Sequence, residues 1–439
     1  AHITAQTLGM FDVDNTYAAG LLTVGANIGT GPHGTPHSIT LTAHQNVKLD
    51  ALLKASDSIS LIGDVVIAPE LEVTSTTGHV DVTSNNDLIT GEWKASNIHA
   101  QTLGVHAADG SRSGGSITVA KSFVASTGGT PNSVTLNAHQ NLILNATVKA
   151  SNAIDLNAQQ LLAPTLEVTS PTGTLNVLVA DDLTTGDWRA ANIMIQTTGV
   201  ADGLGCHSGG TITVSKTFTT STGAVPSSVN LDSHENLQLD APVNATFALR
   251  LFATHDLINP PSNVTVTGVG SFIEMTSDSD LVINGNLSAN GPITLISRGE
   301  PDANGVPTNG SVIVLGNVAT GSGPLLINTN DVDSRVTGTL TGADLTLIGG
   351  GVLTLPNSGT LTGSTTVTSS TLVVNGAFSS KSFVVSSDSV LAGSGTLTGD
   401  VTVRSGAKLL PGSVGLNHTT GKLSINGQLT LEPGSTLEL

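Results

Sequence analysis

Short runs of alternating apolar and polar residues recur along the whole chain. Clear examples are Ser38–Leu41, Ser58–Leu61, His79–Val82 and Asn97–Ala100, each with an apolar side chain at every second position. A period of two predicts β-strands with one side toward a core and the other toward water. Glycine, asparagine, aspartate and serine lie between these runs and favour tight turns. The pattern therefore predicts an all-β protein.

The runs are organised in a long internal repeat. His44, His139 and His234 stand 95 residues apart in nearly identical surroundings, AHQN, AHQN and SHEN. With Ser116–Val119 counted as one of the runs, consecutive runs begin roughly 19 residues apart. This spacing predicts five coils in each repeat. Stacked coils pair by backbone hydrogen bonds and align their aliphatic side chains in rows. We therefore predict a right-handed parallel β-helix, or β-solenoid, with a 95-residue super-repeat.

The repeat also predicts how the chain is divided. The first residues match the end of a repeat, the third copy loses its register and gains loops, and the last stretch is punctuated by glycine. The predicted segments are 1–17 (tail of a partial repeat), 18–112 (unit 1), 113–207 (unit 2), 208–348 (degenerate unit 3 with loop insertions) and 349–439 (a solenoid with a different sequence pattern).

The amino-acid composition limits the width of the core and the classes of possible partner. Only 3% of the 439 residues are aromatic and 11% are charged, which favours a narrow core of stacked aliphatic side chains. The formal net charge of −18 disfavours binding to nucleic acid, because phosphate would be repelled. No apolar run reaches the roughly 18–20 residues of a membrane span. We therefore expect neither nucleic acid nor a membrane as a partner of this chain.

Few residues suggest site chemistry. Trp93 and Trp188 would stack on sugar rings if exposed, giving a glycan contact, or fill a corner of the core if buried, which is the favoured interpretation. Four carboxylates recur near them and could hold Ca²⁺, the one cofactor considered. These candidate ligands are Asp87, Glu92, Asp182 and Asp187. No catalytic or other cofactor-binding residues are predicted, so the protein is not expected to be an enzyme.

The sequence patterns of the repeats resemble those of two protein families. Residues 1 to about 330, with runs such as ITLTA and NVKLDA, resemble the filamentous haemagglutinin-like adhesins of Gram-negative bacteria. The last 90 or so residues resemble the autotransporter-associated β-strand repeat. That match rests on Gly349–Thr354, Thr371–Gly376, Val390–Thr396 and Leu409–Val414. The resemblance implies a right-handed β-helix of the autotransporter-passenger type, at the surface of a Gram-negative-type bacterium.

Together these features predict an extracellular structural or adhesive protein, such as a surface fibre, stalk or sheath subunit. Neither end of the sequence shows a polar cap, so head-to-tail self-association into a filament or longer rod is expected. Surface glycans and host or neighbouring cell surfaces are the other expected partners. The alternative hypothesis is a polysaccharide-active or carbohydrate-binding β-helix protein. A groove with two convergent carboxylates would favour the enzyme.

Overall fold

Strands are the only regular secondary structure in the part of the chain that the computed structural model describes. The described residues are 1–8, 20–30, 34–106, 112–125, 129–202, 206–259, 263–301, 307–308, 310–412 and 421–439. Parts of the two predicted insertions, 260–262 and 302–306, lie outside them. The described part of the chain contains no helix able to cross a membrane. The chain forms two units, Ala1–Gly210 with Phe218–Pro226, and Thr211–Thr217 with Ser227–Leu439.

Each coil of the first unit passes through three sheet faces in turn. The first face consists of His2–Gln6, Ser38–Thr42, Ser58–Gly63, His79–Ser84, Asn97–Thr102, Ser133–Asn137, Ala153–Ala158, Thr174–Val179 and Asn192–Thr197. The second face contains Leu22–Val24, Asn46–Leu49, Val65–Val73, Leu88–Lys94, Ile117–Val119, Asn141–Leu144 and Gln160–Leu162, and Leu183–Thr184 follows them in the chain. The third face contains Leu53–Ala55, the ends of Val65–Val73 and Leu88–Lys94, and then Val148–Ala150, Thr165–Val168 and Asp187–Arg189.

The second unit has the same three-faced coil. Its first face consists of Ser228–Ser233, Ala248–Ala253, Phe272–Ser277, Ile293–Ser297, Leu325–Asn328, Leu345–Ile348, Ser364–Val367, Ala377–Val385, Thr396–Val403 and Leu429–Leu431. Its second face consists of Ile212–Val214, Leu237–Leu239, Leu257–Asn259, Leu281–Ile283, Val312–Val314, Ser334–Val336, Val352–Leu355, Thr371–Val374, Val390–Gly393, Lys408–Pro411 and Thr436–Leu437. Its third face contains Asn244–Ala245, Val264–Val266, Leu287–Ala289, Val318–Thr320, Leu340–Gly342, Gly359–Leu361 and Ser424–Asn426.

Pairing between coils is parallel and in register on all three faces. In the first unit Ser38 lies opposite Ser58, Ser58 opposite His79, His79 opposite Asn97, and Asn97 opposite Ser133. Because side chains alternate between the two sides of a strand, every second side chain points into the core. The inward row Ile39, Ile59, Val80, Ile98 and Val134 is at most 1% exposed. Burial of each such side chain contributes about 1.5–3 kcal/mol. The predicted all-β parallel solenoid is therefore confirmed, while its right-handed winding stays a prediction.

The predicted coil length and number are wrong. The first-face register gives coils of 20, 21, 18 and 36 residues between Ser38 and Ser133, which is four coils instead of five. A typical coil contains about 21 residues, and the 36-residue coil is longer because it carries an insertion. The error has a physical cause, because alternating runs look the same on every face. Ile117–Val119 belongs to the second face, although the spacing of the runs predicts that it begins a new coil.

Among the described residues, three antiparallel hairpins interrupt this pattern. They pair Val105–His106 with Arg112–Ser113, Val200–Ala201 with His207–Ser208, and Glu300–Pro301 with Pro307–Thr308. Each leaves the coil between a first-face strand and the next second-face strand, so all three occupy the same corner of a coil. The first of these, formed by Val105–His106 and Arg112–Ser113, is called the corner hairpin and builds the site described next.

Candidate ligand-binding cleft

The corner between the first and second faces is held together by a recurring threonine. Thr102 ends a first-face strand, and its hydroxyl donates to the Gly115 carbonyl where the corner hairpin returns. The same hydroxyl accepts the backbone N–H of His139 at 3.0 Å. Thr7 repeats the arrangement, donating to Gly20 O at 2.7 Å and accepting His44 N at 3.1 Å. One hydroxyl thus ties the neck of a loop to the next coil.

The histidines of the repeat lie at this corner. At Gly104, where φ is +74°, an added Cβ would overlap the imidazole ring of His139. The hairpin neck therefore rests directly on the ring, and glycine is needed for both the close approach and the left-handed backbone.

An open cleft of about 1170 Å³ lies on one side of the corner hairpin. We call it the corner cleft. It is lined by His44, Gln45, Asn46, Asp64, Val65, Asn85, Asn86, Leu103, Gly104, Val105 and Arg112. A second cavity of about 580 Å³ lies on the other side of the hairpin, against Asn157, Gln159 and Thr198.

Hydrogen bonds fix the walls of the corner cleft. Asn85 Nδ2 donates to Asp64 Oδ1 at 2.6 Å, across two neighbouring coils. Arg112 Nη1 donates to the Leu103 carbonyl at 2.6 Å and so spans the hairpin neck. Beside the lining residue Asn86, Asp87 Oδ1 accepts the Ser116 N–H at 2.9 Å, where the chain enters the second face. The cleft is therefore shaped before any ligand arrives, a feature that lowers the entropic cost of binding.

The predicted calcium ligands have other partners. Asp87 and Asp182 accept backbone N–H groups, from Ser116 and from Gly210, each at 2.9 Å. Glu92 pairs with Lys94 at 2.7 Å, and the hydrogen bond from that ammonium lowers the pKa of the Glu92 carboxyl. The Asp187 carboxylate accepts hydrogen bonds from both Nε and Nη2 of Arg189. Within the described ranges, no group of three or more His, Cys, Asp or Glu side chains is placed to hold a metal ion. Each of the four carboxylates thus has a partner within the protein, and the calcium site stays a prediction.

The tryptophans are inside the core. Trp93 and Trp188 are both 0% exposed, and each Nε1 donates at 2.7 Å to a backbone carbonyl, of Ala68 and Ala163 respectively. Trp93 also stacks on Phe123 with 5.6 Å between ring centroids. A sugar cannot reach either ring, so the structure contradicts the glycan-contact prediction. The alternative interpretation, a buried corner position, is the one that the structure has.

Two charged features were missed from the sequence. On the third face, Lys54 lies opposite Glu72 and Glu72 opposite Lys94, with Lys54 Nζ 2.7 Å from Glu72 Oε1. Lys149 and Glu167 form the corresponding pair at 2.7 Å, 95 residues later. The repeat spacing of these charges was a usable signal, because alternating signs at equivalent positions predict a ladder of ion pairs.

On the first face, Asp81 lies between two histidines. His99 Nδ1 is 3.4 Å from Asp81 Oδ1, and His79 Nε2 is 3.4 Å from Asp81 Oδ2. The hydrogen bond to His99 lowers the pKa of the Asp81 carboxyl, against the opposing effect of partial burial. The three side chains face outward from adjacent strands, and His79 lies opposite Asn97 on the strand that carries His99.

Comparison with known proteins gives no match among protein-family models, curated proteins or solved structures. The evidence for the fold is therefore the strand register and side-chain burial of this structure. The evidence for a function is the chemistry of its surface residues.

Proposed function

We propose that this chain is an extracellular structural or adhesive β-solenoid, a surface fibre, stalk or sheath subunit of a Gram-negative-type bacterium. It would resemble filamentous haemagglutinin-like adhesins, with an autotransporter-passenger-like region over 349–439. The observation that carries the proposal is the parallel register, which presents outward rows of short polar side chains over coil after coil. One such row runs through Thr40, Ser60, Asp81, His99 and Thr135.

Such rows suit a protein that works by side-surface contact. Each coil supports its neighbours through backbone hydrogen bonds, so outward residues can vary while the aliphatic interior stays constant. Surface glycans and host or neighbouring cell surfaces are the proposed partners. The protein is proposed to act without catalysis.

We extend the proposal to head-to-tail self-association. In the described part of the chain, Leu429 and Leu431 are each 41% exposed and Leu437 is 43% exposed, and their strands pair with a neighbour on one side. A second copy of the chain that paired along these strands would cover these leucines, and apolar strand edges are templates for such pairing. Purified protein is expected to form longer particles as its concentration rises, seen by sedimentation and electron microscopy. The double variant Leu429→Lys/Leu431→Lys should stay short, and equal assembly by this variant would remove the support for an end-to-end contact.

The location is tested on intact source cells. An antibody against the purified chain is expected to label unpermeabilised cells, and added protease should remove the signal. Labelling that requires permeabilisation would contradict an extracellular role. The control variant Asp155→Ala/Asn176→Ala removes an outward-facing hydrogen bond from the first face and should be exported as the wild type is.

The second candidate is a carbohydrate-binding or polysaccharide-active protein. The corner cleft favours it, because its pre-shaped walls carry amide and charged side chains. Incubation of the purified chain with polysaccharides separates the two forms of this candidate. Release of new reducing ends or of unsaturated products would indicate an enzyme, whereas retention without cleavage would indicate a binding protein.

A further inference from the structure

We propose that the corner cleft is a binding site for an uncharged oligosaccharide. This inference rests on the proposed adhesive function and names the surface that performs it. The ligand class is argued from the dimensions, the polar groups and the pairing of the strands around the cleft.

The dimensions suit a short, extended ligand. Asn46, Asp64, Asn85 and the corner hairpin belong to four successive coils, which rise by about 4.8 Å each. The cleft therefore runs for about 14 Å across the coils, from the row of Asn46 to the hairpin wall. Its volume of about 1170 Å³ exceeds that of common small-molecule pockets, as expected for an open groove that takes several linked rings.

The polar groups match hydroxyls better than ions. Asn46, Asn85 and Asn86 carry amides, which both donate and accept hydrogen bonds, and a sugar hydroxyl does the same. Asp64 adds an acceptor and Arg112 adds donors at the opposite wall. A ligand with many hydroxyls can use all of these groups at once without bringing a charge into the cleft.

The wall also offers apolar surface. Leu103 is 37% exposed and Val105 is 43% exposed, at the neck and first strand of the hairpin. Sugar rings have apolar C–H faces beside their hydroxyls, so aliphatic side chains next to amides complement both parts of the ring. Neither tryptophan takes part, because both are buried.

Two other ligand classes fit poorly. An extended peptide would bind by adding a strand to an open sheet edge. The bordering strand Asn46–Leu49 is already paired on both sides, with Leu22–Val24 and with Val65–Val73. Anionic polymers meet the Asp64 carboxylate and a chain of net charge −18. The cleft chemistry thus favours a neutral glycan.

The site is specific to one copy of the repeat. The positions 95 residues after Asp64, Asn85 and Arg112 are Gln159, Ala180 and His207. At that second corner the cross-coil bond runs instead from Gln160 Nε2 to Asp181 Oδ2, at 2.8 Å. Asp64, Asn85 and Arg112 thus depart from the repeat, as expected where a surface position has a function beyond folding, whereas Asn46 and Val105 recur as Asn141 and Val200.

The test uses the full chain on an array of neutral oligosaccharides (glucans, mannans, galactans and N-acetylhexosamine oligomers), with heparin as the anionic comparison. The best neutral binder is then titrated by calorimetry. The cleft variant is Asp64→Ala/Asn85→Ala, and Asn46→Trp is a second variant that blocks the cleft without removing the carboxylate. The matched control is Asp155→Ala/Asn176→Ala, which removes an equivalent 2.6 Å amide–carboxylate bond from the first face, outside the cleft.

We expect at least one neutral oligosaccharide to bind, with affinity reduced about tenfold or more in both cleft variants and unchanged in the control. Heparin should not bind. The inference is overturned if no neutral oligosaccharide binds, if heparin binds best, or if the cleft variants bind like the control. Circular dichroism verifies that each variant is folded. Failure here leaves surface labelling of intact cells unaffected, so it is distinct from failure of the proposed function.

Discussion

Trp93 provides the sharpest test of how the core is built. Its side chain is 0% exposed, its indole N–H donates to the Ala68 carbonyl, and its ring stacks on Phe123. Trp93→Ala removes all three contributions and leaves a cavity, which costs about 3–5 kcal/mol. Trp93→Phe keeps most of the packing and loses the hydrogen bond, which costs about 1–2 kcal/mol. The two variants together separate the packing contribution from the polar one.

The assay must be local, because a long repeat array does not unfold in one cooperative step. Hydrogen exchange followed by mass spectrometry reports the opening of single coils. In Trp93→Ala, protection of peptides covering the strands around Leu71 and Trp93 should fall by about two to four orders of magnitude. Trp188→Phe is the matched second site, since its N–H makes the same 2.7 Å bond to Ala163. A loss below tenfold in Trp93→Ala would refute a buried corner position, as would strong acrylamide quenching of Trp93 fluorescence in the Trp188→Phe variant.

Three further predictions concern the corner, the first face and the third face. Gly104→Ala should destabilise the corner by about 1–3 kcal/mol in local hydrogen exchange, because φ is positive there. Gly129→Ala, with nothing near its added Cβ, should change little, and equal effects would contradict the close contact at the hairpin neck. The lowered pKa of Asp81 stabilises the fold above its ordinary value of 3.8, and this contribution is lost as pH falls below that value. The local opening free energies of wild type and Asp81→Asn, measured by hydrogen exchange of peptides covering His79–Ser84, should therefore differ at pH 5 and converge toward pH 2. A constant difference would exclude the carboxylate as the cause. Glu72→Gln should cost about 0.5–1 kcal/mol at low salt and less at high salt, and a salt-independent cost would argue against an ion-pair ladder.

The sequence was sufficient for the class of fold, because alternation and a long repeat both survive in a single chain. It could not give the number of coils. Apolar and polar residues alternate in the same way on all three faces, so Ile117–Val119 could not be assigned to the second face by its pattern. The 36-residue coil adds its extra length in the corner hairpin and in the connection after Ile117–Val119, where alternation is lost.

Burial of the tryptophans was within reach of the sequence. In Glu92–Trp93–Lys94 a period of two places the charged neighbours on one side and the indole on the other, as the structure has them. The corner cleft was not within reach. It forms where the hairpin after Thr102 meets side chains from coils that precede it by roughly 20 to 60 residues, and that contact depends on the register.

That register is tested most directly by disulfide trapping in a Cys206→Ser background, which removes the exposed native thiol. Gln101 lies opposite Asn137 across the longest coil of the repeat. Adjacent parallel strands place such Cα atoms about 4.8 Å apart, within the roughly 4.4–6.8 Å that a disulfide spans. The pair Gln101→Cys/Asn137→Cys should therefore cross-link on mild oxidation, while Gln101→Cys/Ala120→Cys should not. Efficient cross-linking of the second pair, which a uniform coil of roughly 19 residues would place side by side, would contradict the coil-to-coil pairing and the cleft built on it.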